Sequence, residues 1–268
     1  MRLFVLGSGS RGNCFAVATG DGVLLVDAGF SAREIERRAE VAGLPLDQLT
    51  GIVLTHEHGD HACGAPLLAR RRRVPVCTSP GTMRAVARKA PDAAHTTLDG
   101  CSEAAIGPFR VRACVTSHDA AEPLAIVVTA PSGDSVGVAY DLGRPTSGLR
   151  HLFRGLTALV LEANYDEVLL RTAGYPPSVQ QRIAGTGGHL SNRAAAALLG
   201  DLCHPGLGAV VLAHLSQRCN NEECARAAVE PTLRRAGFRG ALHVARQDEP
   251  LEVVPVVGPA GSQLALAI

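Results

Sequence analysis

Short apolar runs bounded by turn residues recur along the chain. Residues 2–6 read as a strand, and CFAVAT and VLLVDAG around the turn GDG read as strand, tight turn, strand. SAREIERRAEVAG follows as a capped helix: Ser31 stands as N-cap, Glu34 lies three residues on, and Gly43 supplies the stop. GIVLT predicts a short buried strand, 61–72 a helix and VPVCT a strand. Residues 95–130 hold several strand-like runs, among them FRVRACVTS and LAIVVTA; DSVGVAYD and ALVLEAN add two more. From 166 on the balance shifts to helix, at 166–171, 177–184, 191–203 and 222–236, with GAVVLAH a strand among them. No repeat, low-complexity segment or linker interrupts the pattern, so residues 1–268 are expected to form one domain. Strands with helices in both halves suit an α/β fold, a four-layer αββα sandwich with helices outside two packed sheets.

The first turn carries a decoy. Gly7-Ser8-Gly9-Ser10-Arg11-Gly12 is a literal GxGxxG after a strand, with Asp27 where a dinucleotide fingerprint wants its acid. That fingerprint needs its third glycine to open a helix, so that the pyrophosphate meets a helix N-terminus. Here a hairpin pattern follows. A flexible glycine turn is the better expectation, or a loop lying over an active site and offering N–H groups to an anion.

Composition narrows the class only slightly. Of 268 residues, 46% are hydrophobic and 19% charged, enough to bury a core and too apolar for disorder. The net charge of +1 singles out no partner, and the scarcity of lysine, with Lys89 alone, is read as compositional bias. Eight cysteines without a CxxC pair suggest reduced, mostly buried thiols. Glycine follows the first apolar residues too soon for a signal peptide, and no apolar run approaches the roughly 18 residues of a membrane span. A soluble, cytoplasmic protein is expected.

The candidate chemistry lies after GIVL, in Thr55-His56-Glu57-His58-Gly59-Asp60-His61. This is not the HExxH of a zincin helix, since Asp60 stands at the fourth place after His56, and Gly59 disfavours a helix. On an extended loop, His56 and His58 point the same way, while Asp60 and His61 face a second point a few Å on. One loop thus offers half the shells of two metal ions. Imidazole with carboxylate suits zinc, with manganese or iron as competitors. Further ligand types end strand-like runs: His118, Asp141, which could bridge two ions, and His214. His95, His151, His204 and His243 lack supporting pattern.

In this order LLVDAG, THEHGDH, SHD, AYDLG and LAHLS resemble the motif series of the metallo-β-lactamase superfamily. The resemblance spans nearly the whole chain and implies the αββα sandwich with two divalent ions at the sheet edges. His56, His58 and His118 would hold one ion and Asp60, His61 and His214 the other, with Asp141 bridging and Asp27 supporting the loop. LVLEANYD, GHLSNRAAAALL and VVLAHLSQRCN resemble the nucleic-acid-processing branch that includes ribonuclease Z. GSGSRGNC, GYPPSVQQRI and GHLSN are most similar to the YycJ (WalJ) type of 5′-to-3′ exonuclease. That type tends to carry threonine at the position of Tyr140 and histidine at that of Tyr165.

The implied reaction is phosphodiester hydrolysis in a nucleic acid, DNA ahead of RNA. Asp60 would orient the nucleophile and take its proton, and His189, oriented by Glu162, would protonate the leaving oxygen. The bland alternative for His189 is a neighbour of a helix cap. Candidate substrate contacts are Arg11 and Asn13 in the glycine loop, Ser191 and Asn192 at a helix start, and Arg218. The run Arg70–Arg73 fits a solvated helix end at least as well as a nucleic-acid track. Two rivals stay open: a hydrolase of the same fold acting on a thioester, lactone or small phosphoester, and a metal-binding module without activity. Oligomeric state is not legible.

Overall fold

The computed structural model describes residues 1–89, 94–99 and 103–253. Fourteen strands are seen among them: β1 (Arg2–Gly7), β2 (Cys14–Thr19), β3 (Gly22–Val26), β4 (Leu49–Val53), β5 (Val76–Thr78), β6 (His95–Thr97), β7 (Glu103–Ile106), β8 (Phe109–Val115), β9 (Leu124–Thr129), β10 (Ser135–Ala139), β11 (Ala158–Glu162), β12 (Ala209–Ala213), β13 (Ala241–Val244) and β14 (Leu251–Val253). They form two seven-stranded sheets, ordered β14-β1-β2-β3-β4-β5-β6 and β13-β12-β11-β10-β9-β8-β7. In each sheet an antiparallel meander passes into a parallel half: β3 through β6 in the first, β10 through β13 in the second.

Near-continuous apolar strands are what a sheet covered on both faces requires. In β1, Leu3 and Val5 join the core between the sheets, while Phe4 and Leu6 face the outer core under the helices. In β12, Ala209, Val211 and Ala213 point between the sheets, and Val210 and Leu212 pack outward. Three cores separate four layers, so the α/β sandwich read from the sequence is the observed architecture.

Most elements fall where the pattern places them. Ser31 accepts from the Glu34 N–H at 3.2 Å and Gly43 ends that helix in the left-handed conformation. Helices Pro80–Val86 and Ser147–Leu152 and the two edge strands β13 and β14 carried no readable pattern. Two expectations need correction. The segment after β4 is not extended throughout: His58 caps a helical turn, Gly59–Ala62, whose first-turn Asp60 favours the positive end of the helix. Among the described cysteines only Cys14, Cys77 and Cys219 are buried; Cys101 lies outside the described residues. No helix among the described residues is long and apolar enough to cross a membrane.

Candidate metal centre

The chemistry gathers where strands end. Asp27 follows β3, the 55–61 segment follows β4, and His118, Asp141 and His214 follow β8, β10 and β12, while Glu162 closes β11. Strands running the same way put their C-terminal loops at one edge, the usual place for a site in a parallel sheet. Asp27, Asp141 and His214 sit at φ of 61°, 54° and 54°. A left-handed non-glycine residue costs about 1–3 kcal/mol and persists only where its surroundings fix it. Here the Asp27 N–H donates to the Val53 carbonyl at 2.8 Å and the His214 N–H to Ser8 Oγ at 2.9 Å.

The ring and carboxylate atoms form overlapping clusters. Ligand-type atoms of His56, His58 and His118 lie within 4.8 Å of one another, and so do those of Asp60, His61 and His214. Asp141 lies between. Its Oδ2 is 2.8 Å from His61 Nε2 and 3.5 Å from His56 Nε2, and its Oδ1 is 3.2 Å from His214 Nδ1 and 4.0 Å from His118 Nε2.

Contacts behind the cluster set the ring orientations. Nδ1 of His56 faces Thr55 Oγ1 at 3.0 Å, Nδ1 of His61 faces Asp27 Oδ2 at 2.7 Å, and Nδ1 of His118 faces the Gly188 carbonyl at 3.2 Å. Each arrangement turns Nε2 toward the cluster, as histidine ligands require. Asp27 is fully buried and also accepts from the Thr55 N–H, from Thr55 Oγ1 and, at 2.6 Å, from the Tyr140 hydroxyl. Tyr140, stacked on Phe15, is thus an anchor of the loop through Asp27.

His214 Nε2 is buried with no hydrogen-bond partner among the described residues, 3.9 Å from Asp60 Oδ2. A buried nitrogen left unpaired costs about 1–3 kcal/mol. A divalent cation among Asp60, His61 and His214 would satisfy it, and an all-imidazole-and-carboxylate donor set fits such an ion. The residues present therefore fit the ions that the sequence pattern implies.

The second feature is a carboxylate shared by two rings. Glu162, wholly buried, receives His189 Nδ1 at 2.8 Å and His214 Nδ1 at 3.0 Å on Oε1. Its Oε2 accepts the N–H groups of Leu142 at 2.7 Å and Leu190 at 2.9 Å. His189 Nδ1 also lies 3.1 Å from Asp141 Oδ1. Burial disfavours charge on these rings, yet Glu162 and Asp141 raise His189 to about 10, and Asp141, Asp60 and Glu162 raise His214 to about 9. Burial, with the neighbouring His61 cation, holds His56 well below the usual histidine range.

A cavity of about 240 Å³ opens onto this cluster, lined by Asp60, His118, Asp141, His189 and His214 among others. Of the candidate substrate contacts, none lines it. Asn13 is fully buried; its side chain bonds Ser8, Gly9 and His61, which makes it a support for the loop. Asn192 exchanges two amide hydrogen bonds with Asn220, and Ser191 caps its helix through the Ala194 N–H. Arg11 pairs with Asp248 at 2.5 Å, and Arg218 donates to the Ala173 carbonyl and stacks on Tyr175. In the 70–73 run, Arg71 and Arg72 pair with Glu36, the solvated-end arrangement. Of the polar and charged side chains that line it, sequence reasoning missed Ser10, Asp119 and Arg182. Ser10 sits in the glycine loop, Asp119 in SHD and Arg182 in GYPPSVQQRI, so all three lay inside motifs that the sequence offered.

A family model described as the metallo-beta-lactamase superfamily matches residues 7–134. The chain is 33% identical over 237 residues to the exodeoxyribonuclease YycJ of Bacillus anthracis, covering 87% of this chain and 89% of that one. This chain belongs to the metallo-β-lactamase superfamily. Within the superfamily it is also similar to the exodeoxyribonuclease WalJ of Streptococcus pneumoniae, 30% identical over 227 residues, with 82% and 84% of the two chains covered. Among solved structures, the metallo-β-lactamase-fold protein YhfI of Bacillus subtilis superposes with a TM-score of 0.71 over 94% of this chain and 98% of that one; at 16% identity it speaks for the fold.

Proposed function

We propose that the protein is a two-metal-dependent nuclease that hydrolyses phosphodiester bonds of DNA from a 5′ end, with zinc or manganese in its site. One observation carries the reading: the buried Asp141 carboxylate turns one oxygen to His56 and His61 and the other to His118 and His214, so both ligand groups meet on it. His56, His58 and His118 would hold one ion, Asp60, His61 and His214 the other, and Asp141 both. When bound, the ions supply a nucleophile at neutral pH and polarise the phosphoryl group under attack. Asp60, about a third exposed and lining the cavity, orients the attacking water and accepts its proton. His189 keeps Nδ1 on Glu162, which leaves Nε2 to donate a proton to the leaving oxygen. The similarity to YycJ and WalJ, both named exodeoxyribonucleases, supports a DNA substrate.

The experiment is zinc- or manganese-loaded protein against 5′- and 3′-labelled single- and double-stranded DNA and RNA. Release of mononucleotides from the 5′ label first, lost in Asp141→Ala, is the expected outcome. Failure to cleave any strand, with brisk thioester or lactone turnover instead, would overturn the reading.

A further inference from the structure

With Asp60, Asp141 and His214 committed to the ions, the phosphates of a nucleic-acid strand in the cavity need other partners in its lining. Arg182, on the helix Pro177–Ala184, is the one arginine or lysine among the residues lining it. Its guanidinium is exposed and makes no hydrogen bond or ion pair with a described residue. The other arginines weighed for substrate are engaged elsewhere, Arg11 with Asp248 and Arg218 with Ala173 and Tyr175.

The seat of Arg182 is fixed by backbone. The Gly185 N–H donates to the Arg182 carbonyl at 3.3 Å, and the His189 N–H to the Ile183 carbonyl at 2.8 Å. A Cβ on Gly188 would lie 2.2 Å from both of those carbonyl oxygens, so only glycine lets the chain double back this closely. The same turn presents the Gly188 carbonyl to His118 Nδ1 and the Gly187 carbonyl to the Asp119 N–H at 3.1 Å. Helix Pro177–Ala184 buries none of its residues. Besides these ties to the centre, Ile183 packs against Tyr165, Leu170 and Cys219, and Gln180 Nε2 donates to the Tyr175 carbonyl at 2.8 Å, while the Arg182 side chain stays available to a ligand.

We propose that Arg182 is a phosphate-binding residue for the substrate strand, resting on the nuclease reading above. Its planar fork matches two phosphate oxygens, at the 5′-terminal phosphate or at the internal phosphate under attack. A plain structural role also exists, since a cation in the last turn of a helix offsets the macrodipole. That role predicts a stability effect and no effect on substrate.

The test compares metal-loaded wild type, Arg182→Ala and Arg182→Lys on single-stranded DNA bearing a 5′-phosphate or a 5′-hydroxyl, over a salt series. Expected are unchanged metal content and a KM raised about 10- to 100-fold in Arg182→Ala, the range of a lost hydrogen-bonded charge contact. Arg182→Lys should fall between, with the salt slope of log KM in the alanine variant shallower by about 0.7, one phosphate contact on a single strand. A penalty confined to 5′-phosphorylated strands assigns the terminal phosphate, and an equal penalty on both assigns the internal one. Should the alanine variant fail to fold, Arg182→Gln replaces it. A variant that matches wild type in KM and salt slope overturns the proposal alone; a wild type that cleaves no strand overturns the nuclease reading together with it.

Discussion

His214 and His189 share Glu162 and differ in their second nitrogen. His214 is buried, and its Nε2, beside Asp60 and His61, finds no hydrogen-bond partner among the described residues. His189 is about a quarter exposed and lines the cavity. The first environment suits a ligand and the second a proton donor. His214→Ala should therefore lose bound metal and activity together. His189→Ala should keep its metal while the rate falls by about 10²- to 10⁴-fold, the range for general acid catalysis. Elemental analysis beside a cleavage assay separates the two, and a His189→Ala protein that empties a site while His214→Ala stays loaded would reverse the assignment. His243 Nε2 also has no hydrogen-bond partner among the described residues, but it lies on β13 beside Arg226 and Arg246, away from the cluster, and its removal should leave metal content unchanged.

Elements hold the centre by close backbone approach. The glycine loop before β2 and the turn after β3 both lie against the helical turn Gly59–Ala62: the Asn13 N–H donates to the Asp60 carbonyl at 2.8 Å and the Ala28 N–H to the His61 carbonyl at 2.7 Å. A Cβ on Gly29 would lie 1.7 Å from the Asp60 carbonyl oxygen, and backbone cannot yield as a flexible side chain would. Gly29→Ala should cost at least the ~1–3 kcal/mol typical of overpacking and, by displacing Asp60 and His61, weaken metal binding. Gly20→Ala, where nothing lies within 4 Å, is the control and should be near neutral. Thermal denaturation and metal titration of both variants check this; a Gly29→Ala protein with wild-type Tm and affinity would refute it. Glu57, inside the histidine segment, is used in the same way: it accepts the Ala121 N–H at 2.7 Å and Thr82 Oγ1 at 3.2 Å, and so ties the loop to its neighbours.

Across the whole molecule the centre concentrates buried charge, so its protonation bears on stability. In the metal-free protein His61, His189 and His214 are raised, because the carboxylates of Asp141, Asp27 and Glu162 outweigh burial. A group raised on folding contributes fully below its unfolded pKa, about 6.5 for histidine, and loses that contribution as pH rises through its folded value. Between about 6.5 and the folded values of about 9 for His214 and about 10 for His189, stability of the metal-free protein should fall with rising pH. Below about 6.5 the sign changes, because His56 and His118 are lowered by burial and the folded state then binds fewer protons than the unfolded one. A metal-free Tm profile with its maximum near neutral-to-slightly-acid pH is expected. Metal should flatten the alkaline side, since ligand histidines bind as neutral rings. An apoprotein Tm that climbs steadily from pH 7 to 9 would contradict this.

What the sequence determined is what local pattern encodes. Alternating burial in β1 and β12 follows from apolar residues covered on both faces, and Ser31 and Gly43 bound their helix by capping chemistry that needs no distant partner. The ligand-type residues were legible too, because each ends an apolar run, and order along the chain fixes which loop they occupy. Tertiary structure decided what depends on groups far apart in sequence. Asn13, Asn192 and Arg218 looked like substrate contacts by proximity to motifs, yet their polar atoms are used by His61, Asn220 and Ala173. Tyr140 gave no sign that its hydroxyl would reach Asp27, 113 residues earlier. Strands β13 and β14 were unreadable because an edge strand is made by its neighbour's hydrogen bonds more than by its own pattern. Arg182 entered the cavity because the chain turns back at Gly188, and one-dimensional spacing holds no record of that close approach.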